Sequence, residues 1–351
     1  MKKILILSEF TVTKWKGGTN RLTFEVAKNL IKKGCKVKII SPSWNNKLEK
    51  KYFKEWTDQK IEIELINLPM QRNPILRTLY YFLYGLKGKH DAVITFYTLA
   101  PAIAACMLPV KRKTPMIIEP TTIKSIKSWQ VSILKKADTI LTLTNTAKEM
   151  LESKGIKSTV VPGFVDTKKF YPLKNKKKGL FTIGFVGRFR KLKGFPVLLE
   201  AFKKLKSEEY HLVATGNSVP EEKFKEEKNM EFFENLSDTK NKNKITLPDL
   251  YRRFDVFVLP SKSEGFGLVL AEAMATGLPC IVSNNLLLKE VVGNAGIPVN
   301  EDNPDEIAEK IKLLKENKKL YFELSQNAIK QAQKYEIRKV MDKFYKEIVG
   351  G

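Results

Sequence analysis

The sequence predicts a two-domain α/β chain in which each domain is a doubly wound parallel sheet, and three observations predict it. With 351 residues, 43% of them hydrophobic, 16 Pro and 19 Gly, the chain is too long for one core, since single cores rarely grow past about 250 residues. It is also too apolar for disorder. Short apolar runs alternate with stretches of helical periodicity, the pattern of parallel strands covered by helices on both faces. Finally, the opening strand, loop, helix and strand unit occurs twice.

In the first half, residues 4–7 form an apolar strand, and a loop containing Gly17 and Gly18 leads into a helix whose apolar positions Leu22, Val26, Leu30 and Ile31 share a face. Gly34 ends that helix and residues 37–40 form the next strand. The N-terminus reads as a first buried strand rather than a signal peptide, because Glu9 arrives before the apolar stretch reaches the ~7 residues an h-region needs. Residues 92–110 are 19 consecutive residues without charge, close to the ~20 that span a bilayer. Thr95, Tyr97 and Thr98 are polar, however, and Pro101 and Pro109 interrupt the run. A strand over 92–96, a loop and a short buried helix over 102–108 are expected instead.

Residues 172–179, Pro-Leu-Lys-Asn-Lys-Lys-Lys-Gly, are polar and aperiodic and read as the linker, which places the domain boundary after Leu173. In the second half residues 181–186 form a strand, residues 187–194 a basic loop, and Pro196 sits in a helix first turn. Val197, Leu198, Ala201, Phe202 and Leu205 face the sheet, which residues 211–215 resume. Two Rossmann-like halves follow, residues 1–173 and 174–335, and residues 336–351 form a last helix long enough to cross back to the first domain.

The three cysteines, Cys35, Cys106 and Cys280, lie far apart with no CxxC pair, which excludes a disulfide framework and a zinc knuckle. Two histidines, His90 and His211, leave little room for histidine-based metal or proton-relay chemistry. Carboxylates, Arg, Lys and backbone amides must carry the mechanism. The net charge is +25, and residues 1–173 hold 31 basic against 13 acidic side chains, a net of +18. Such a field attracts polyanions, phosphorylated substrates or an anionic membrane face, although a lysine-rich solvated surface has the same composition.

Chemistry concentrates in two loops of the second half. The first runs from Gly187 through Arg188, Arg190, Lys191 and Lys193 to Gly194, between a strand end and a helix start. Ligands of open α/β sheets bind outside the carboxyl ends of strands, and a helix N-terminus adds unpaired N–H groups and partial positive charge, so this loop suits a phosphate. The second is Glu264-Gly265-Phe266-Gly267-Leu268, following an apolar strand over 256–259 and opening a helix with Leu268, Ala271, Met274 and Ala275 on its packing face. Gly265 and Gly267 let backbone approach a ligand closely. Glu264 precedes the helix and Glu272 lies inside it, where burial requires hydrogen-bond donors such as sugar hydroxyls. Neither half contains the GxGxxG spacing of a dinucleotide site.

These residues resemble the family 4 retaining glycosyltransferases of the GT-B fold, two Rossmann-like doubly wound domains facing a central cleft. The resemblance covers almost the whole chain. Glu264 to Glu272, EGFGLVLAE, matches that family's E-x7-E motif, and the AMATGLP that follows continues it. The Gly187-Arg188 to Lys193-Gly194 loop, the VPGFVD segment at 161–166 and the Gly17-Gly18 turn match as well.

The resemblance implies that Arg188 and Lys193 bind the donor diphosphate, that Glu272 receives the ribose hydroxyls, and that Glu264 holds donor-sugar hydroxyls near the reactive carbon. Amides of Phe266, Gly267 and Leu268, beside Gly265 and Gly187, touch sugar and phosphate, and Gly18 approaches the phosphate from the other domain. The base lies against the loops marked by Gly216-Asn217 and Asn235-Leu236, so a UDP- or GDP-linked sugar fits equally. No Asp-x-Asp occurs, which agrees with a metal-independent reaction in which the leaving phosphate itself takes the acceptor proton. The family often places a His after the strand corresponding to residues 115–118, where this chain reads Glu119-Pro120-Thr121. Glu119 or Thr121 substitutes on the acceptor side, or Glu119 is a capping carboxylate.

The expected activity is therefore hexosyl transfer to a glycan or polyprenyl-linked acceptor. A non-catalytic polyanion-binding protein and a nucleotide-sugar epimerase of the same fold are the alternatives. Residues 73–87 mix four aromatic residues with Leu, Ile and cations, as a headgroup-level helix or a sheet-packed helix would. With basic clusters at 47–54 and 111–113 they imply peripheral attachment to an anionic, cytoplasmic membrane face through Tyr80, Tyr81 and Phe82. No nucleic-acid motif is present.

Overall fold

The computed structural model describes residues 1–9, 17–42, 56–66, 73–96, 98–173, 179–206, 208–216, 229–234, 236 and 245–350. They form two compact units, one of Met1–Pro162 with Arg338–Gly351 and one of Gly163–Ile337.

The first unit is built on a parallel sheet of order β3-β2-β1-β4-β5, with β1 Lys3–Ser8, β2 Lys36–Pro42, β3 Glu62–Ile66, β4 Ala92–Phe96 and β5 Arg112–Pro115. Ile4 to Leu7 and all of β4 are buried, as continuous apolar runs of a parallel sheet are when helices cover both faces. The strand order reverses between β1 and β4. Helix Gly18–Lys32 buries Leu22, Val26 and Leu30, while Ile31 is half-buried. The uncharged run divides into β4 and the nine-residue helix Leu99–Met107. No helix among the described residues is long and apolar enough to cross a membrane. β5 stops at Pro115, and Met116 bridges instead to Leu141 of β6 (Leu141–Thr142), which pairs with β7 (Thr159–Val160).

Helix Pro74–Gly85 corrects one expectation. Tyr81 is fully buried with its hydroxyl donating to Ser8 O at 2.9 Å, and Tyr80, Phe82 and Tyr84 pack against the core of Leu5, Leu7, Val93 and Ala104. The aromatic side faces the core over β1 and β2, beside helix Leu99–Met107. The aliphatic side, Ile75, Leu79 and Leu83, faces outward. The basic cluster 47–54 lies outside the described residues.

The second unit carries a parallel sheet of order β10-β9-β8-β11-β12-β13: β8 Phe181–Val186, β9 Tyr210–Gly216, β10 Met230–Glu234, β11 Val256–Leu259, β12 Cys280–Ser283 and β13 Gly296–Val299. Its order reverses between β8 and β11. The chain enters this unit at Gly163, before the expected boundary at Leu173. The segment between them packs on the second unit: Val165 N donates to Tyr335 O at 2.8 Å, Ile337 N to Val165 O at 3.0 Å, and Phe170 meets Tyr251 edge-on. The charge run marked a polar stretch, whereas packing of residues 163–172 sets the division. Helix Ile337–Val349 belongs from Arg338 onward to the first unit, where Val340, Met341, Phe344 and Ile348 are buried. Arg112 Nε donates to Glu347 O at 2.7 Å and Lys2 Nζ to Val349 O at 2.8 Å.

Candidate active site

Open parallel sheets bind ligands outside the carboxyl ends of their strands at the point where strand order reverses. In the second unit that point lies past Val186 of β8 and Leu259 of β11, and the two motif loops leave from those two ends.

The basic loop starts with Gly187, whose N–H donates to Thr215 O at 2.9 Å. Arg188, Arg190 and Lys191 are exposed. Between them Phe189 packs at 4.5 Å from the ring centre of Phe195, with Phe185 and Phe232 at about 6 Å, so an aromatic cluster holds the loop while its cations face solvent. A single 3-10 turn, Lys191–Lys193, ends at Gly194, which adopts φ +72°. A Cβ there would stand 2.0 Å from Pro260 O, so the basic loop runs directly against the acidic one.

The acidic loop is anchored from below. Ser261 is buried, and its hydroxyl lies 3.2 Å from Leu192 O and 3.1 Å from Ser263 O. Lys262 N donates to Leu192 O at 3.0 Å. Ser283 Oγ and Asn285 Nδ2 both donate to Ser261 O, at 2.5 and 3.3 Å. These bonds staple the two loops together. Lys193 Nζ then donates to Glu264 Oε1 at 2.7 Å and to Ser263 O at 3.0 Å, with the two side chains only 16% and 13% exposed.

Phe266 is buried edge-on against Tyr335 and over Gly163, where a Cβ would lie 2.2 Å from its ring. Gly267 adopts φ +80° and caps helix Leu268–Ala275. That helix is buried almost all round and has no single apolar face. Leu268, expected to pack, is half-exposed, whereas Leu270 and Ala273 are buried. Glu272 is 1% exposed and accepts the Tyr251 hydroxyl on Oε2 at 2.9 Å.

The structure thus brings together Lys193, Glu264 and Gly194, and holds Glu272 separately within the helix. Gly216 ends β9 so close to the basic loop that a Cβ would meet Gly187 O at 1.8 Å. Leu236 is half-buried, its N–H at 3.5 Å from Thr215 Oγ1. Asn217 and Asn235 lie outside the described residues. In the first unit Gly18 is exposed in the first turn of its helix, after Gly17 at φ +135°. Glu119 sits at the start of helix Pro120–Lys124 without capping it, and its Oε2 lies 3.4 Å from Thr121 Oγ1. Sequence reasoning missed Tyr251, the Ser261, Ser283 and Asn285 network, and the phenylalanine cluster. Only Asn285, a capping residue before three leucines, left a local signal.

The chain matches the family Glycosyl transferases group 1 over residues 166–334 and Glycosyltransferase Family 4 over residues 16–169. It is a family 4 glycosyltransferase. An uncharacterized glycosyltransferase of Haemophilus influenzae is 28% identical over 93% of this chain and 95% of its own length. The UDP-Gal:alpha-D-GlcNAc-diphosphoundecaprenol alpha-1,3-galactosyltransferase of Escherichia coli is 30% identical over 61% of this chain and 64% of its own. Sucrose-phosphate synthase of Thermosynechococcus elongatus superposes with a TM-score of 0.77 at 17% identity, covering 98% of this chain and 97% of that one. That likeness is one of fold, GT-B. As a glycosyltransferase of this family, the chain carries the first acid of its E-x7-E pair, Glu264, against Lys193 of the basic loop, and the second, Glu272, inside the helix that follows.

Proposed function

We propose that the chain moves a hexosyl residue from a nucleotide-sugar donor to a lipid-linked glycan, with retention of configuration and without a metal ion. The observation that carries the reading is the Lys193 and Glu264 pair, 2.7 Å apart at the point where the second sheet reverses. Transfer from a nucleoside diphosphate needs a cation where the phosphate leaves and a carboxylate where sugar hydroxyls are gripped, and this pair supplies both within one side chain's reach.

In this reading Arg188 and Lys193 bind the diphosphate, together with amides of Phe266, Gly267 and Leu268 at the helix start. Their charge and the helix dipole stabilise the negative charge that grows as the nucleoside diphosphate departs. Glu264 accepts hydrogen bonds from the sugar, Glu272 from the ribose, and Gly18 serves the phosphate from the first unit. The anomeric carbon loses its bond to the phosphate oxygen and gains one to the acceptor oxygen on the same face, and the acceptor proton passes to the phosphate. Glu119 or Thr121 orients the acceptor. A UDP-linked sugar and a polyprenyl-diphosphate acceptor are favoured by the substrate named for the Escherichia coli relative, and a +18 first half favours work at an anionic cytoplasmic membrane face.

The test is nucleoside diphosphate release from a panel of UDP- and GDP-sugars in EDTA with a polyprenyl-diphosphate glycan, followed by NMR of the product. Turnover in EDTA with the donor's anomeric configuration kept is expected. Metal-dependent turnover or an inverted linkage would remove those two parts of the reading. Ligand binding without turnover would leave the polyanion-binding alternative, and sugar interconversion without acceptor the epimerase.

A further inference from the structure

We propose that Ser261 and Asn285 are positioning residues for the donor diphosphate, which act by aiming the ammonium of Lys193. The inference rests on the reading of Lys193 as a phosphate-binding cation and names what holds that cation in place.

Ser261 lies two residues past β11 and is wholly buried. Its hydroxyl carries one proton and has two carbonyls within reach, Leu192 O at 3.2 Å and Ser263 O at 3.1 Å. Leu192 immediately precedes Lys193, and Ser263 immediately precedes Glu264. One shared proton therefore ties the two backbones together one residue upstream of both charged side chains. Ser263 O has a second task, because it also accepts from Lys193 Nζ at 3.0 Å. An ammonium has three N–H bonds, and among the described residues Ser263 O and Glu264 Oε1 take two of them. The third is left for a ligand oxygen. Its direction is fixed by the other two, so a shift of Ser263 O re-aims it.

Asn285 holds Ser261 in turn. Its Nδ2 donates to Ser261 O at 3.3 Å and to Ser283 Oγ at 2.9 Å, and Ser283 Oγ passes a further bond to Ser261 O. Its Oδ1 meanwhile accepts from Leu288 N at 2.8 Å and caps helix Leu286–Val292. Ser or Asp caps a helix about as well as Asn, but neither brings the N–H pair that reaches sideways to the acidic loop. Joining the two loops is already served by backbone, since Lys262 N donates to Leu192 O at 3.0 Å. What the two side chains add is aim, and a binding group must be held to within about 0.5 Å of its productive place by the shell behind it.

The experiment is a double-mutant cycle read as UDP and GDP affinity by titration calorimetry, which needs neither sugar nor acceptor. Ser261→Ala and Asn285→Ser should each weaken binding of the nucleotide that wild type takes by about tenfold, the order that supporting shells contribute around metal ligands. In a Lys193→Ala background the same two substitutions should change affinity less than about twofold, because the group they aim is gone. A further tenfold loss in that background would make both residues general supports of the fold and overturn the proposal. Wild-type affinity in both single variants would overturn it as well. Asn285→Ser keeps a helix cap, so it carries the test if Ser261→Ala melts below the assay temperature. Should wild type itself bind neither UDP nor GDP, or Lys193→Ala bind as wild type does, the phosphate reading of Lys193 falls and this inference with it, an outcome seen before any positioning variant is made.

Discussion

Lys193 and Glu264 lie 71 positions apart in the chain, yet their charges meet at 2.7 Å with both side chains mostly covered. Replacing Lys193 or Arg188 by Ala should lower transfer by about 10²-fold or more, as loss of other preorganised electrostatic groups does. Arg188 is exposed and Lys193 partly so, and the staple between the loops runs through Leu192 O and Ser261 instead. Circular dichroism melting should therefore find both variants folded, and near-normal turnover of either would refute its phosphate role. Gly194→Ala should behave in the opposite way, because φ +72° and a Cβ 2.0 Å from Pro260 O leave no room for a side chain. A loss of ~2 kcal/mol or more in urea unfolding is expected. Each of these residues was legible singly, from the clustering of cations and from the glycines beside carboxylates. Their pairing was not, since it is set by which strands neighbour each other across the reversal and leaves no periodic trace.

At the level of elements, the sequence separated strands from helices well and helix faces poorly. β4 was readable to the residue because a fully buried parallel strand is a continuous apolar run. Helix Pro74–Gly85 is apolar on two sides, aromatic toward the sheet and aliphatic toward solvent, and periodicity cannot rank two apolar faces. Helix Leu268–Ala275 posed the same difficulty, since it is buried nearly all round and its one carboxylate, Glu272, is held from another helix by Tyr251. Tyr251 is itself fully buried, its ring packed on Phe170, Phe254 and Phe257. Tyr251→Phe keeps that packing and removes one donor from a buried carboxylate, which should cost about 1–3 kcal/mol. If Glu272 binds ribose, the same change should weaken nucleoside diphosphate binding in a thermal-shift titration, with a smaller effect on kcat than on KM. An unchanged titration would restrict Tyr251 to packing.

For the molecule as a whole, the chain's two histidines fall one in each unit, and burial holds the pKa of both His90 and His211 below the ordinary value. The native state then binds fewer protons than the unfolded chain just below pH ~6.5, so stability should fall as pH drops through that value and level off below the folded pKa. Urea midpoints between pH 7.5 and 5.5 should show this, and a His90→Gln, His211→Gln variant should flatten the slope. The division at Gly163 was hidden because the charge run at 174–178 advertises a linker, while Phe266 over Gly163 and the Val165 backbone bonds, which set the division, involve residues far away in sequence. Removing residues 338–351 should destabilise the first unit alone, since Val340, Met341, Phe344 and Ile348 are buried there. Limited proteolysis should then degrade residues 1–162 while sparing the second unit. The same helix has a consequence during synthesis. The first unit is translated first yet cannot complete its core until Ile348 has emerged, whereas the second needs nothing beyond Ile337. The half encoded last should close first, reversing the usual N-to-C order of folding on the ribosome, and the incomplete first unit should spend that interval as the natural client of chaperones.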